Sequence, residues 1–256
     1  MSGTGNLNAK TVIVTGATSG MGKALSLRAA ADGAHVILAG RNEKAGREIV
    51  SVIEGEGGTA AFVPTDVTVE KDAEALVENA LRLAGRIDCV FNNAGAMTTD
   101  GLVPDLETAS WRLGIETNLT SVFFGLKYQI PAMVAGGGGA IVNNASLLGV
   151  RGQAGASAYV AAKHGVVGLT RAAALEFAAQ GVRVNALVTG PVDTPALCST
   201  TGVTGREAIV ADAAAHTPVG RVGDPEEVAA FAAFLLGDET KFITGAALTI
   251  DGGMSA

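Results

Sequence analysis

The sequence predicts an α/β protein built on one parallel, doubly wound sheet, and three observations indicate this. Short β-branched apolar runs alternate with amphipathic segments over nearly the whole length of 256 residues. The strand runs are apolar throughout, which is typical of strands buried on both faces of a parallel sheet. The segments between them have the length of crossover helices, and such crossovers are right-handed almost without exception. Together these features predict a Rossmann-like layer sandwich with helices on both faces.

Each strand is predicted from a short apolar run, and each helix from an amphipathic segment between two such runs. The strands are expected at 11–15 (TVIVT), 35–39 (HVILA), 59–63 (TAAFV), 87–91 (IDCVF), 140–145 (AIVNNA), 182–188 (VRVNALV) and 246–250 (AALTI). The helices are expected at about 20–32, 42–55, 69–84, 105–135, 156–180 and 224–236. No linker, repeat or shift in composition divides the sequence, so residues 1–256 are expected to form a single domain.

The stretch 190–223 breaks this alternation. It is rich in Gly, Thr and Pro and contains one plausible helix, at about 205–216. Long irregular connections inside compact domains are usually lids or binding loops. This one follows the carboxyl end of a strand, which is where ligands bind in open α/β sheets. We therefore expect a substrate loop at about 190–223.

Composition argues against several classes of protein. A formal net charge of −7 without a dense Lys/Arg block disfavours a nucleic-acid partner. The uncharged stretch from Tyr128 to Val150 contains Pro131, four consecutive glycines and two asparagines, so it is not expected to span a membrane. Cys89 lies in an apolar run and is expected in the core, whereas Cys198 lies in a polar loop and suggests a reducing compartment. The first residues have no apolar signal segment, which favours a cytoplasmic location.

A glycine-rich turn follows the first strand and opens the first helix, with Gly16, Gly20 and Gly22 in the pattern TGxxxGxG. Glycines at this place allow a tight turn and let the backbone approach a pyrophosphate at the positive end of a helix. An ordinary strand-to-helix turn is the alternative, since a glycine triplet alone is weak evidence. The strand before it and the helix after it favour dinucleotide binding.

Two further strand ends carry polar residues. Asp66 follows the third strand, where its carboxylate could accept a hydrogen bond from an adenine amino group or could simply cap the helix near residue 69. Taken alone, the cap is favoured. Asn92, Asn93, Ala94 and Gly95 follow the fourth strand; a sharp turn explains them, and their small side chains also leave room for a flat ligand.

Ser146, Tyr159 and Lys163 form a candidate catalytic set. Tyr159 and Lys163 are four residues apart and therefore share one face of a helix, while Ser146 stands at the end of the fifth strand. A phenol has an ordinary pKa of about 10, so it exchanges protons near neutrality only if its anion is stabilised. A neighbouring ammonium would stabilise the anion and lower the pKa of the phenol. Three scattered histidines show no ligand spacing, so no metal site is expected.

These motifs together resemble the short-chain dehydrogenase/reductase (SDR) family in its single-domain form. The resemblance runs from about Lys10 to the C-terminus and covers the glycine turn, Asp66, NNAG at 92–95, Asn118, Ser146, YxxxK at 159–163 and Asp251-Gly252-Gly253. It implies that Tyr159 is the general acid in reduction and the general base in oxidation. It also implies that Lys163 lowers the pKa of Tyr159 and binds the nicotinamide ribose, that Ser146 holds the substrate oxygen, and that Asn118 holds a water that relays protons from Lys163.

The resemblance also implies a nicotinamide cofactor. The residues it implies for cofactor binding are Gly16, Thr18, Ser19, Gly20, Met21, Gly22, Arg41, Asp66, Val67, Asn93, Ala94, Gly95, Tyr159, Lys163, Gly190, Val192 and Thr194. One position departs from the family, which usually has Pro-Gly after the sixth strand where this sequence has Thr189-Gly190. This departure puts the local backbone path in doubt more than the activity.

Cofactor choice is predicted from the end of the second strand. In the family an acidic residue there binds the adenosine ribose and repels the extra phosphate of NADP, but this sequence has Gly40 followed by Arg41. The planar guanidinium of Arg41 suits a phosphate, so NADP(H) is expected in preference to NAD(H). The alternative is that Arg41 pairs with a neighbouring acid such as Glu43.

The function expected from these features is the interconversion of a ketone and a secondary alcohol by hydride transfer. The alternatives are an NAD-dependent alcohol dehydrogenase, a 3-oxoacyl reductase of the same family, and a nucleotide sensor without catalysis. A carrier-protein substrate is disfavoured, because glycines replace the basic residues expected before the fifth strand, although Lys127, Arg151 and Arg183 lie nearby. The expected pocket walls are mostly apolar: Met97, Leu147, Leu148, Gln153, Val192 and Leu197. The resemblance implies a homo-oligomer, dimer or tetramer, formed through the helices at 105–135 and 156–180.

Overall fold

A computed structural model of the chain describes residues 6–97, 101–197 and 205–256. Within these residues seven strands form one sheet in which every pairing is parallel. The strands are β1 Thr11–Thr15, β2 His35–Gly40, β3 Thr59–Pro64, β4 Cys89–Asn92, β5 Gly139–Asn144, β6 Val182–Thr189 and β7 Ala247–Ile250. The helices in the described residues are α1 Gly20–Ala31, α2 Glu43–Gly55, α3 Glu70–Ala84, α4 Thr108–Ile115, α5 Ser121–Ala135, α6 Ser157–Phe177, α7 Arg206–Ala215 and α8 Pro225–Leu236.

The strand order is β3-β2-β1-β4-β5-β6-β7. The chain therefore reverses its direction of winding between β1 and β4, and a crevice opens above the carboxyl ends of these strands. The predicted Rossmann-like fold is confirmed. Every predicted strand is present with its bounds shifted by two residues or fewer.

Apolar cores cover both faces of the sheet. On one face α1, α2 and α8 contribute buried side chains such as Leu25, Ile49 and Val228. On the other face α3, α5 and α6 contribute buried side chains such as Leu76 and Val166. Burial on both faces explains why the strands are apolar throughout.

The predicted helix at 105–135 differs from the structure. A short 3₁₀ turn occupies Val103–Asp105, and the helix then consists of α4, a wide π turn at Glu116–Thr120, and α5. Asn118 lies in the π turn, and its side-chain amide donates to the carbonyl oxygen of Gly114 over 3.0 Å. A single π turn adds one residue to a helix without interrupting it, and such turns occur frequently at functional sites.

The predicted substrate loop is described only in part. Residues 190–197 and 205–223 belong to the described chain, and α7 matches the helix expected at about 205–216. Cys198 lies outside the described residues. Cys89 is buried in β4, as predicted, and burial raises the pKa of its thiol to about 12.

Candidate active site

In the glycine turn at the carboxyl end of β1, the backbone at Gly22 lies close to the backbone at Gly16. Gly16 has a φ of +63° and Gly20 a φ of +50°, a region that favours glycine. A Cβ on Gly22 would lie 2.3 Å from the carbonyl oxygen of Gly16, so a side chain there would push the turn away from α1. The first turn of α1 therefore lies directly on the glycine loop, and its free N–H groups and positive dipole end face the crevice.

A cleft of about 590 Å³ runs from this turn along the carboxyl edge of the sheet. Most of the predicted cofactor residues border it: Gly16, Thr18, Ser19, Gly20, Met21, Arg41, Asp66, Val67, Asn93, Ala94, Gly95 and Thr194. Gly190 and Val192 border an adjoining cavity of about 300 Å³. The arrangement can hold an elongated anionic ligand over the N-terminus of α1.

Asp66 closes a local turn with Thr68 inside this cleft. Its carboxylate accepts hydrogen bonds from the backbone N–H of Thr68 at 3.0 Å and from the Thr68 hydroxyl at 2.7 Å. These bonds, together with the charge of Arg41, hold the pKa of Asp66 below its ordinary value. The capping role that the residues alone favoured is absent, because the N-cap of α3 is Val69 and no side chain caps that helix, whereas Asp66 borders the cleft.

The adjoining cavity brings Ser146, Tyr159 and Lys163 onto one wall. Ser146 follows β5, and its hydroxyl lies within hydrogen-bonding reach of the Tyr159 phenol. The Lys163 ammonium is buried, donates to the carbonyl oxygen of Asn144 over 2.8 Å, and lies 5.5 Å from the centroid of the Tyr159 ring. A hydroxyl, a phenol and an ammonium placed in this way can hold an oxygen atom and exchange a proton with it.

The proton affinities of this wall differ in part from the expectation. Burial raises the pKa of Tyr159, and the hydrogen bond with Ser146 acts in the opposite direction. Burial lowers the pKa of Lys163 from 10.5 to about 8. In the isolated chain burial outweighs other influences on the phenol and Lys163 points to the Asn144 carbonyl, so a lowering of the Tyr159 pKa by the ammonium stays a prediction.

Asn118 approaches Lys163 from the π turn. Its side chain donates to the Ala96 carbonyl at 2.8 Å and accepts from the Ala96 N–H at 3.0 Å, in addition to its bond to Gly114. A Cβ on Gly95 would lie 2.8 Å from the Asn118 side-chain oxygen and 3.5 Å from the Lys163 nitrogen. Gly95 therefore leaves the space between these two groups open. The Asn118 side chain is therefore fully engaged with backbone groups of Ala96 and Gly114.

Comparison with known proteins identifies the family. A family model described as enoyl-(acyl carrier protein) reductase matches residues 16–255. A cyclohexanol dehydrogenase from Acinetobacter sp. (strain SE19) is 41% identical over 96% of this chain and 94% of its own length. The chain belongs to the short-chain dehydrogenase/reductase family. The SDR resemblance of the sequence is thereby confirmed.

Two further similar proteins give the reaction class of this SDR. A cis-4-hydroxycyclohexanecarboxylate dehydrogenase from Sinomonas cyclohexanicum is 42% identical over 96% of this chain and 97% of its own length. The crystal structure of a levodione reductase superposes with a TM-score of 0.93 at 33% identity, covering 97% of this chain and 98% of that one. The chain is therefore an oxidoreductase that acts on CH–OH groups and interconverts small-molecule alcohols and ketones, and its family uses a nicotinamide nucleotide.

A hydrogen-bonded chain of side chains was missed from the sequence. The Thr189 hydroxyl donates to the Asn144 side-chain oxygen at 3.3 Å, and the Asn144 amide donates to the Asn93 side-chain oxygen at 3.0 Å. The Asn93 amide then donates to the Thr15 carbonyl at 3.1 Å. The only signal in the sequence is an amide pair at the end of an apolar strand and a threonine where this SDR departs from the usual proline.

The expected substrate walls all border the 300 Å³ cavity, and Met254 was missed among its other wall residues. Met254 lies on the same cavity, in the turn after β7. The Arg151 guanidinium donates to the Met254 carbonyl, and the Asp251 carboxylate accepts from the N–H groups of Gly253 and Ser255. Nothing in the local sequence indicates that this C-terminal turn folds back over the pocket.

None of the helices in the described residues is both long enough and apolar enough to cross a bilayer. In residues 6–97, 101–197 and 205–256, no three His, Cys, Asp or Glu side chains are grouped so that they could hold a metal ion.

Proposed function

We propose that this SDR interconverts a cyclic secondary alcohol and its ketone with NADP(H), and that Tyr159 exchanges the proton. The observation that carries the proposal is the wall formed by Ser146, Tyr159 and Lys163 beside the glycine-lined cleft. The cofactor supplies the hydride acceptor or donor when it is bound. The protein supplies orientation and the proton.

Ser146 and Tyr159 act on the substrate oxygen. In oxidation the Ser146 hydroxyl holds the alcohol oxygen while the Tyr159 phenolate accepts its proton; in reduction the Tyr159 phenol returns a proton to the forming alkoxide. The phenol and the ammonium have similar pKa values in water, but burial raises the pKa of Tyr159 and lowers that of Lys163 to about 8, so Lys163 is the stronger acid of the two in the isolated chain. This order favours proton transfer from Lys163 toward the Tyr159 phenolate, and the family resemblance implies that a water held by Asn118 lies on that path.

The cleft residues would hold the cofactor. The loop from Gly16 to Gly20 and the N-terminus of α1 would meet the pyrophosphate, and Asp66 and Val67 would face the adenine. Lys163 would reach the nicotinamide ribose, and Gly190, Val192 and Thr194 would meet the carboxamide and phosphates. The positive φ at Gly16 and the close approach at Gly22 support this assignment, since side chains there would fill the space above α1.

Arg41 supports the preference for NADP(H). It is exposed at the mouth of the cleft, and Gly40 places no carboxylate where it would repel the extra phosphate. The alternative partner, Glu43, is engaged by Arg47 at 2.5 Å. Arg41 is therefore available to a phosphate, apart from its longer-range attraction to Asp66.

The pocket favours a compact apolar ring as substrate. Its walls include Met97, Leu147, Leu148 and Met254, and its volume of about 300 Å³ suits a small ring. Two of the similar proteins are named for alcohols on a cyclohexane ring. We infer that cyclohexanol-like secondary alcohols are the substrate class.

A carrier-bound 3-oxoacyl substrate is disfavoured by the contacts of the three nearby basic residues. Lys127 pairs with Glu70 at 2.5 Å, and Arg151 holds the Met254 carbonyl. Arg183 donates to the Leu235 and Gly237 carbonyls. Each therefore has an intramolecular contact that docking of an acidic carrier protein would have to replace.

The expected assembly is a dimer or tetramer. Trp111 and Phe123 are exposed apolar side chains on the helix formed by α4 and α5. Exposed apolar groups at such spacing favour a helix–helix interface. Light scattering on the purified protein tests this, and a monomer at micromolar concentration would contradict it.

The central test compares wild type with Tyr159→Phe on cyclohexanol and cyclohexanone. The variant should lose roughly 10²–10⁴-fold or more in kcat/KM, because general acid–base catalysis contributes about this much. Cofactor binding, followed by nicotinamide fluorescence, should stay close to wild type. Tyr128→Phe is the matched control, because Tyr128 lies outside the pocket and bonds Glu70 at 3.1 Å. Turnover by Tyr159→Phe at the control's rate would overturn the proposal.

A further inference from the structure

Side-chain hydrogen bonds connect the carboxyl ends of four strands, and Asn144 takes part in two of these bonds. Thr189 ends β6, Asn144 ends β5, Asn93 follows β4 and Thr15 ends β1. The successive bonds measure 3.3, 3.0 and 3.1 Å. The Thr15 hydroxyl reinforces the last joint by accepting from the N–H groups of Asn93 and Ala94 at 3.0 and 3.1 Å.

Asn144 is also the acceptor for Lys163. Its carbonyl oxygen takes the ammonium hydrogen bond at 2.8 Å, while its side chain is held by Thr189 on one side and Asn93 on the other. Asn144 and Thr189 are each 6% exposed, so water does not replace a lost partner easily. The Ala145 N–H holds the other side of the same peptide by donating to the Leu187 carbonyl at 2.8 Å, so the two side-chain bonds complete the support of the oxygen that accepts from Lys163.

We propose that Asn144, whose side chain is hydrogen-bonded to Thr189 and Asn93, is a positioning residue for Lys163. These two side-chain hydrogen bonds are called the Asn144 clamp, or simply the clamp. The proposal rests on the proposed function only in that Lys163 serves the proton exchange there. It assigns a purpose to the departure at residue 189, because proline has no hydroxyl and could not hold the Asn144 side chain.

The titration of Lys163 reports mainly on its hydrogen bond, because the groups around it carry few other charges. Tyr159 faces it from its own helix, and the groups that face it from β5, the π turn and the loop after β4 are uncharged: the Asn144 carbonyl, Asn118 and Gly95. A hydrogen bond from an ammonium to a carbonyl favours the charged form. Loosening the Asn144 carbonyl should therefore lower the pKa of Lys163 further.

A neighbouring network supplies a matched control. Asn143, the residue before Asn144, donates to the Thr170 hydroxyl at 2.9 Å, and Asn92 donates to the Asn143 side-chain oxygen at 3.0 Å. Thr170 is as buried as Thr189 and does not border the pocket. Thr170→Val therefore removes a buried threonine hydroxyl from an asparagine, as Thr189→Val does, without touching the clamp on Lys163.

The experiment follows the side-chain ε-carbon signals of the seven lysines in ¹³C-lysine-labelled protein by NMR across the pH range in which they titrate. The Lys163 signal is assigned by its loss in Lys163→Arg. Losing one hydrogen bond in the clamp should lower the Lys163 midpoint by roughly 0.3–1 pH unit in Thr189→Val. Thr189→Ser, which keeps the hydroxyl, should restore it, and Thr170→Val should leave it unchanged. If Thr189→Val does not fold, Thr189→Ala removes the same hydroxyl with less crowding.

The pH profile of alcohol oxidation gives the second readout. With less Lys163 ammonium to stabilise the Tyr159 phenolate, the rising limb of kcat/KM against pH should move to higher pH in Thr189→Val. It should not move in Thr189→Ser or Thr170→Val. An unchanged Lys163 midpoint in Thr189→Val, or equal shifts in both valine variants, would overturn the positioning role. The NMR titration needs no turnover, so a chain inactive on every alcohol would refute the proposed function while a selective shift would still support the clamp.

Discussion

Replacing Arg41 by alanine tests the cofactor preference most directly. The guanidinium stands at the mouth of the cleft without Glu43 as a partner, so a 2′-phosphate would gain a charge-assisted hydrogen bond there. Such bonds contribute about 1.5–3 kcal/mol, and because Arg41 is exposed we take the lower end, which corresponds to roughly tenfold in affinity. Arg41→Ala should therefore weaken the binding of NADPH about tenfold and change the binding of NADH little.

The assay is a fluorescence titration of NADPH and NADH at constant ionic strength, since exposed charges are screened by salt. Arg47→Ala is the matched control, because Arg47 is an exposed arginine on α2 that pairs with Glu43. It should leave the ratio of the two dissociation constants unchanged. Equal weakening of both cofactors in Arg41→Ala, or a wild-type preference for NADH of more than about tenfold, would refute the assignment of residues 40–41.

Gly40→Asp is the converse test, and the structure shows how to control it. A Cβ on Gly40 would lie 3.2 Å from the Thr18 methyl group, so any side chain there must displace Thr18 by a few tenths of an ångström. Gly40→Ala carries this steric effect without a carboxylate. Gly40→Asp should shift the ratio of the NADPH and NADH dissociation constants further toward NADH than Gly40→Ala does. Identical ratios in the two variants would contradict the electrostatic reasoning.

Three further predictions concern the turn, the pocket and the buried lysine. Gly22→Ala should weaken the binding of both cofactors and lower Tm, because its Cβ would meet the Gly16 carbonyl. Gly55→Ala, in open space on α2, should change neither. Wild-type cofactor affinity in Gly22→Ala would contradict the close approach. Met254→Ala should raise kcat/KM for alcohols with bulky ring substituents relative to cyclohexanol, and an unchanged ratio would remove Met254 from the pocket wall. Between pH 8 and 9 the unfolded chain binds more protons at Lys163 than the folded chain, whose Lys163 pKa is about 8. The free energy of unfolding of wild type should therefore rise relative to Lys163→Met over this window, as measured by urea denaturation, and parallel curves would show that the lysine is not buried as described.

The sequence predicted the fold because its signals are local. Apolar strands and amphipathic crossovers determine a parallel sheet without reference to distant residues, and the family motifs lie at strand ends that the fold necessarily brings together. The π turn was not predicted, because one extra residue in a helix of nearly 30 residues hardly changes its apolar periodicity.

The features that could not be predicted depend on distant partners. Thr189 and Asn144 are 45 residues apart, and the Arg151 guanidinium meets a carbonyl 103 residues away. The raised pKa of Tyr159 in the isolated chain was not predicted for a related reason. Spacing places a lysine beside a tyrosine, but only the packed structure shows that the ammonium points to the Asn144 carbonyl and that burial dominates.

The π turn gives the long helix two differently oriented halves. Each helical residue advances the side-chain direction by about 100°, so one additional residue rotates everything upstream of it by that angle. Asn118 thereby turns inward to Ala96, while Trp111 on α4 turns outward. The same local widening thus couples the angular placement of an active-site amide to that of a surface apolar patch. A one-residue deletion in Glu116–Thr120 would rotate both together, so we expect it to disturb the proposed catalytic site and the proposed interface at the same time.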